Sequence, residues 1–171
     1  MLKIFLSLIV LFIYSNLSFS QDNDSNPCAP ETSQFDFWIG KWKAVWENPD
    51  GTKSEGTNEI VSILDGCVIQ ENFNGNPGIN FLGKSFSVYN KNKKIWQQTW
   101  VDNQGTYMDF NGGMNDNKMI LSRTITVNGV EVNQRMVYYN ITPEKFDWDW
   151  ETSRDGGKTW ELKWRINYSR I

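Results

Sequence analysis

Phe35-Asp36-Phe37-Trp38-Ile39-Gly40-Lys41-Trp42 is an aromatic clamp ending in Gly-x-Trp, set at the head of a chain built almost wholly of short alternating segments. In a small β-barrel such a stretch carries the backbone across one mouth. Gly40 lets the chain pass close to its neighbours, and Trp42 then plugs the bottom of the core. Outward from this clamp, alternation of period two dominates and no helical period is sustained.

The alternation assigns faces. Trp42, Ala44 and Trp46 share one side, opposite Lys41, Lys43 and Glu47. Phe146, Trp148 and Trp150 oppose Asp147, Asp149 and Glu151, and Trp160, Leu162, Trp164, Ile166 and Tyr168 oppose Glu161, Lys163, Arg165 and Asn167. Between such runs stand turn formers: Asn48-Pro49-Asp50-Gly51, Asp65-Gly66, Asn74-Gly75-Asn76-Pro77-Gly78, Asn103-Gln104-Gly105, Asn128-Gly129 and Asp155-Gly156-Gly157 among them. Asn and Gly accept the positive φ that tight hairpins need. The expectation is an all-β domain, one antiparallel meander of about eight to ten strands closed into a barrel so that no edge is left. Arg170 shares the inward side with Trp164 and Tyr168, and in a closed barrel it would fold over the Trp42 ring.

The N-terminus reads differently. Met1 and Lys3 precede an apolar run, Ile4 to Tyr14, and Ser18-Phe19-Ser20 has the small-x-small pattern of a cleavage site. Residues 1–20 are expected to be a signal peptide, 21–34 a flexible lead-in, and 35–171 the barrel domain. The apolar run is too short to span ~30 Å of hydrocarbon comfortably, so no anchor is expected after cleavage and the product is periplasmic or secreted.

Composition excludes several classes of function. Without residues 1–20 the chain carries 16 basic and 20 acidic side chains, hence a net charge of 16 − 20 = −4. No basic block is available to displace counterions from a nucleic acid. Histidine is absent, which removes Ser-His and Cys-His catalysis, a His-ligated haem and His-based zinc sites. No metal or other cofactor is expected. The two cysteines, Cys28 and Cys67, read as a disulfide in an exported chain; the alternative is a free buried thiol at Cys67 beside a loose Cys28.

Four segments occur in a characteristic order: the clamp, Asp65-Gly66-Cys67-Val68-Ile69-Gln70-Glu71, Trp96-Gln97-Gln98-Thr99-Trp100-Val101-Asp102, and Ser153-Arg154-Asp155-Gly156-Gly157-Lys158-Thr159-Trp160. Together they resemble a family of exported, lipocalin-like proteins whose function is unknown, over nearly all of residues 28–171. The wider lipocalin superfamily is similar in Gly40-x-Trp42 and in Arg170. The resemblance implies a barrel and export, and it supplies no catalytic residues. Ser153-x-Asp155-x-Gly157-x-x-Trp160 also looks like the Asp-box of sialidases, but a single copy is a hairpin device: Ser153 and Asp155 tie down the turn, Gly157 bends it and Trp160 packs beneath.

Polar residues on apolar faces mark a candidate site. Glu71 shares a face with Ile69 and Phe73, Gln98 alternates with Trp96 and Trp100, Arg123 lies between Leu121 and Ile125, and Gln134 between Val132 and Met136. A few polar groups converging among aromatics is what a small-molecule site contains. Glu71, Gln98, Trp100, Arg123 and Gln134 are therefore expected to bind a small apolar or amphipathic ligand, with Arg123 taking an anionic head group. Two alternatives stay open at this point: a small hydrolase or isomerase that uses Glu71 and Asp102, and a filled barrel that acts through its surface.

Overall fold

The computed structural model describes residues 28–171; the expected signal peptide and its cleavage site lie outside them. A 3-10 helix, Pro30–Trp38, leads into ten strands: β1 Gly40–Glu47, β2 Lys53–Ile63, β3 Val68–Asn74, β4 Leu82–Asn90, β5 Ile95–Asp102, β6 Tyr107–Asn115, β7 Lys118–Val127, β8 Val130–Tyr139, β9 Lys145–Ser153 and β10 Glu161–Arg170. Each strand pairs antiparallel with the next, and β10 returns to β1 through Trp42↔Arg170 and Ala44↔Tyr168. The sheet is a closed meander barrel that fits a lipocalin-like fold.

The helix is the floor. Phe35 and Trp38 are buried and meet Trp96 and Tyr138 edge-on, with ring centroids 4.7 Å (Phe35–Trp96) and 5.3 Å (Trp38–Tyr138) apart. The described part of the expected lead-in, from Cys28 on, packs against the barrel. Cys28 is buried, the helix begins at Pro30, and Gln34 accepts a hydrogen bond from the Trp96 indole at 3.0 Å. The cause is covalent as well as apolar. Cys28 and Cys67 form a disulfide, with Cα atoms 5.0 Å apart, which pins the start of the helix beneath the β2–β3 turn.

Arg170 closes the floor from the other end of the chain. Its guanidinium lies 4.2 Å from the Trp42 ring centroid, while Nε donates to the Pro143 carbonyl and Nη1 to that of Ile39. Trp42 itself donates from Nε1 to the Trp38 carbonyl at 2.7 Å. Gly40 stands between them with φ +137°, and a Cβ there would sit 2.3 Å from Arg170 Nη1. A side chain at this position meets both backbone strain and the clamp. Gly40→Ala is expected to destabilise the fold by about 1–3 kcal/mol, read as a lower urea midpoint; an unchanged midpoint would remove the clamp from the account.

Alternation holds along most strands, with one correction at the last. The β9–β10 register shifts between Leu162 and Trp164. Lys163 is the extra residue, and such a bulge exchanges the two faces. Trp164, opposite Trp150, points inward as expected, whereas Leu162 is exposed and Trp160 lies outside, its ring 3.8 Å below the Arg135 guanidinium. The turn before it is the expected hairpin device. Ser153 donates to Asp155 at 2.7 Å and accepts from the Gly157 amide, Asp155 accepts from the Lys158 and Thr159 amides, and the Trp160 indole donates to the Gly157 carbonyl. The Thr159 hydroxyl and amide, followed by Ser153, hold the Asp155 carboxyl down at about 2. Asp149 faces outward yet is buried, because Arg165 donates to it twice, at 2.7 and 2.6 Å.

Candidate functional site

Above the floor the barrel is hollow. A cavity of about 370 Å³ opens toward the end that carries the Gly75–Phe81 and Asn103–Thr106 loops, inside the ~300–1,000 Å³ usual for small-molecule sites. Its walls are aromatic. Trp148, Trp150 and Trp164 come from β9 and β10, Trp100 from β5 and Phe73 from β3, and Phe81 hangs over the mouth from its loop. Phe81 packs on Trp100 with centroids 5.9 Å apart, and Phe73 meets Trp164 edge-on at 6.0 Å. The barrel is not filled, so the reading of a solid interaction module loses its structural basis.

One wall is polar. Glu71 is buried and lines the cavity. Its Oε1 accepts from Asn58 Nδ2 and its Oε2 from the Ser85 hydroxyl, both at 2.7 Å. Burial pushes its carboxyl up to about 7, against the pull of the Ser85 and Asn58 hydrogen bonds, which favour the charged form. Asn58 also reaches the Tyr168 hydroxyl at 3.4 Å. Tyr138 and Tyr168 line the same cavity. Desolvation, then the Glu71 carboxylate, moves both phenols well above their ordinary value.

The expected site residues divide. Glu71, Trp100 and Gln134 line the cavity together. Gln98 does not; it is buried deeper in the wall and donates to the Ser87 hydroxyl at 2.8 Å. Arg123 flanks the cavity. Its register partner is Gln134, and its guanidinium lies 5.7 Å from the Phe110 ring, both of which are cavity walls. It stands in a seam: β6 and β7 pair only from Asn111↔Ser122 to Asn115↔Lys118, so Tyr107–Phe110 and residues 123–127 do not pair with each other. On its other side Arg123 borders an outer groove with Asn111, Ser122 and Trp160. Its Nε and Nη1 are buried and make no hydrogen bond, and it takes part in none of the ion pairs among the described residues.

Asp102 also lines the cavity but is committed to its own turn. Oδ1 accepts from the Gln104 and Thr106 amides and Oδ2 from the Trp100 indole. Burial alone would raise its carboxyl; the bonds from Trp100, Thr106 and Gln104 outweigh that and keep it below the usual value. With both oxygens engaged it is a turn device, and acid–base chemistry in this cavity would have to rest on Glu71 without it.

Asn58, Ser85, Tyr138 and Tyr168 were not singled out by sequence reasoning as site residues. Only strand parity could have found them. Asn58 stands in phase with Ile60, and Tyr138 with Met136, on inward faces. Ser85 sits on a strand whose large apolar residues, Leu82 and Phe86, face the other way.

Among the described residues no cluster of acidic and cysteine side chains is arranged to hold a metal, and no helix is long and apolar enough to cross a membrane. A search of curated proteins returns no match. A family model described as "Protein of unknown function (DUF1579)" matches residues 30–170, from the first residue of the floor helix to the arginine that closes it, and the chain belongs to that family.

Proposed function

We propose that this protein is an exported carrier or receptor of a small amphipathic molecule, whose apolar body fills the aromatic cavity while an anionic head group reaches Arg123. The single observation behind the reading is the pairing of an unfilled 370 Å³ aromatic cavity with a flanking guanidinium whose Nε and Nη1 are buried and unbonded. Buried polar groups without partners are costly, and the guanidinium fork matches a carboxylate with two parallel bonds. Export is supported by the Cys28–Cys67 bridge, since such bonds persist in oxidising compartments. A wider kinship with the lipocalins fits the ten-stranded barrel, Gly40-x-Trp42 and the Arg170 clamp.

Size limits the ligand. At ~30 Å³ for each water, the cavity holds the equivalent of about a dozen non-hydrogen atoms. Decanoate is a probe of that size and charge. Titrated into the full chain and followed by tryptophan fluorescence, it is expected to bind saturably and more tightly than decanol. Arg123→Gln is expected to weaken decanoate by about 1.5–3 kcal/mol and to leave decanol unchanged. Equal affinities for the two probes would dispose of the role given to Arg123, and no saturable binding of either would dispose of the carrier reading.

A further inference from the structure

We infer that the ligand also carries a hydrogen-bond donor, a hydroxyl or amino group, at the end remote from its anionic head, and that this donor seats on the Glu71 carboxyl. The inference rests on the carrier reading above and adds to it the chemistry of the ligand's far end.

The placement comes from topology. Glu71 is on β3 and Arg123 on β7, four strands apart one way round the ten-stranded barrel and six the other. The two groups therefore project from nearly opposite walls, with the cavity between. A ligand that holds Arg123 by its head group and fills the cavity extends toward the Glu71 wall.

The donor requirement comes from counting. A carboxylate offers about four lone-pair sites, and Glu71 has two in use, one on each oxygen, through Asn58 and Ser85. Among the described residues no Lys or Arg pairs with Glu71. Glu71, which lines the cavity, thus has acceptor sites to spare. A wholly apolar ligand would leave those sites unmatched and cut off from water, which is the costly case, whereas a donor at the ligand's far end would satisfy one.

Ionisation gives a second readout. The other titratable or charged groups that face the cavity or flank it are Tyr138 on β8, Tyr168 on β10, Asp102 on β5 and Arg123 on β7. Through neutrality the tyrosines keep their protons and Asp102 keeps its charge. Glu71 is the cavity carboxyl that changes form there. A neutral donor binds the ionised carboxylate more strongly than the acid, so the gain from the donor grows as pH rises.

The experiment compares decanoate with 10-hydroxydecanoate on the full chain at pH 6 and pH 8, in wild type and Glu71→Gln. At pH 8 wild type is expected to bind the hydroxylated probe about tenfold more tightly, the value of a hydrogen bond to a charged group at its lower end. The preference should shrink at pH 6, and in Glu71→Gln it should be small and the same at both pH values. Equal binding of the two probes by wild type at pH 8 overturns the inference while leaving the carrier reading in place. A preference that survives unchanged in Glu71→Gln also overturns it. Failure of both probes to bind overturns the carrier reading itself.

Discussion

Replacing both cysteines, Cys28→Ser with Cys67→Ser, is expected to lower the unfolding free energy by about 4 kcal/mol. The bridge spans 39 positions, and for a loop of that length the chain-entropy relation gives about 4 kcal/mol at 25 °C. Against a total stability of roughly 5–15 kcal/mol for a domain, this is a large fraction of the whole. The location adds to it. The bridge is the covalent tie that holds the start of the floor helix under the β2–β3 turn, and the helix delivers Phe35 and Trp38 to the bottom of the core. Without it the ten-stranded barrel still closes through β1 and β10, so a folded but weaker protein is expected. Urea unfolding of the double variant, and of wild type with dithiothreitol, should show the same shift. A shift below about 1 kcal/mol in both would mean that the floor is held by packing alone.

Much of this architecture was legible because the strands that form the closure are amphipathic in the ordinary sense. Trp42, Ala44 and Trp46 on β1 and Phe146, Trp148 and Trp150 on β9 put apolar groups inside and charge outside, and a slip of one residue would reverse every one of them. Strand β4 breaks that rule. Its exposed side carries Leu82 and Phe86, while Gly83, Ser85 and Ser87 face inward and are fully buried. Space is the reason at one of these positions: a Cβ on Gly83 would lie 2.0 Å from the Trp100 ring. Chemistry is the reason at the others, since Ser85 and Ser87 serve Glu71 and Gln98. A hydrophobicity pattern read alone turns this strand inside out and hides Ser85. The bulge at Lys163 is concealed for the same reason that parity is informative: a single extra residue has no sequence mark, and it moved Trp160 and Leu162 to the outside. Arg123 was legible as a basic residue in an apolar series, but its place in a seam was not. That depends on where β6 stops pairing with β7, which is a property of two strands at once.

Glu71→Gln is expected to make the protein more stable at pH 8 by about 2–3 kcal/mol and to leave it unchanged near pH 4.5. The sign follows from where the proton is held. In the unfolded chain the carboxyl ionises near 4.5, and in the fold burial pushes that up to about 7. Between these values the folded state binds a proton that the unfolded state has lost, so stability falls as pH rises through the window and is level above it. At about 1.4 kcal/mol for each pH unit the loss approaches 3 kcal/mol. Glutamine keeps the hydrogen bonds: its carbonyl oxygen accepts from Asn58, and its amide donates to the Ser85 hydroxyl, which can turn to accept. It does not bring the charge. Contributions from every other titrating group are common to both proteins and cancel in the difference, so urea unfolding of the pair at pH 4.5 and pH 8 isolates this one carboxyl. Equal stability at pH 8 would place Glu71 in contact with enough water to ionise freely, and the dry polar wall assigned to the cavity would go with it. If the variant is the more stable one, the chain retains at position 71 a group that weakens its own fold at neutral pH. Packing cannot explain that choice, because the isosteric amide packs as well; binding chemistry in the cavity can.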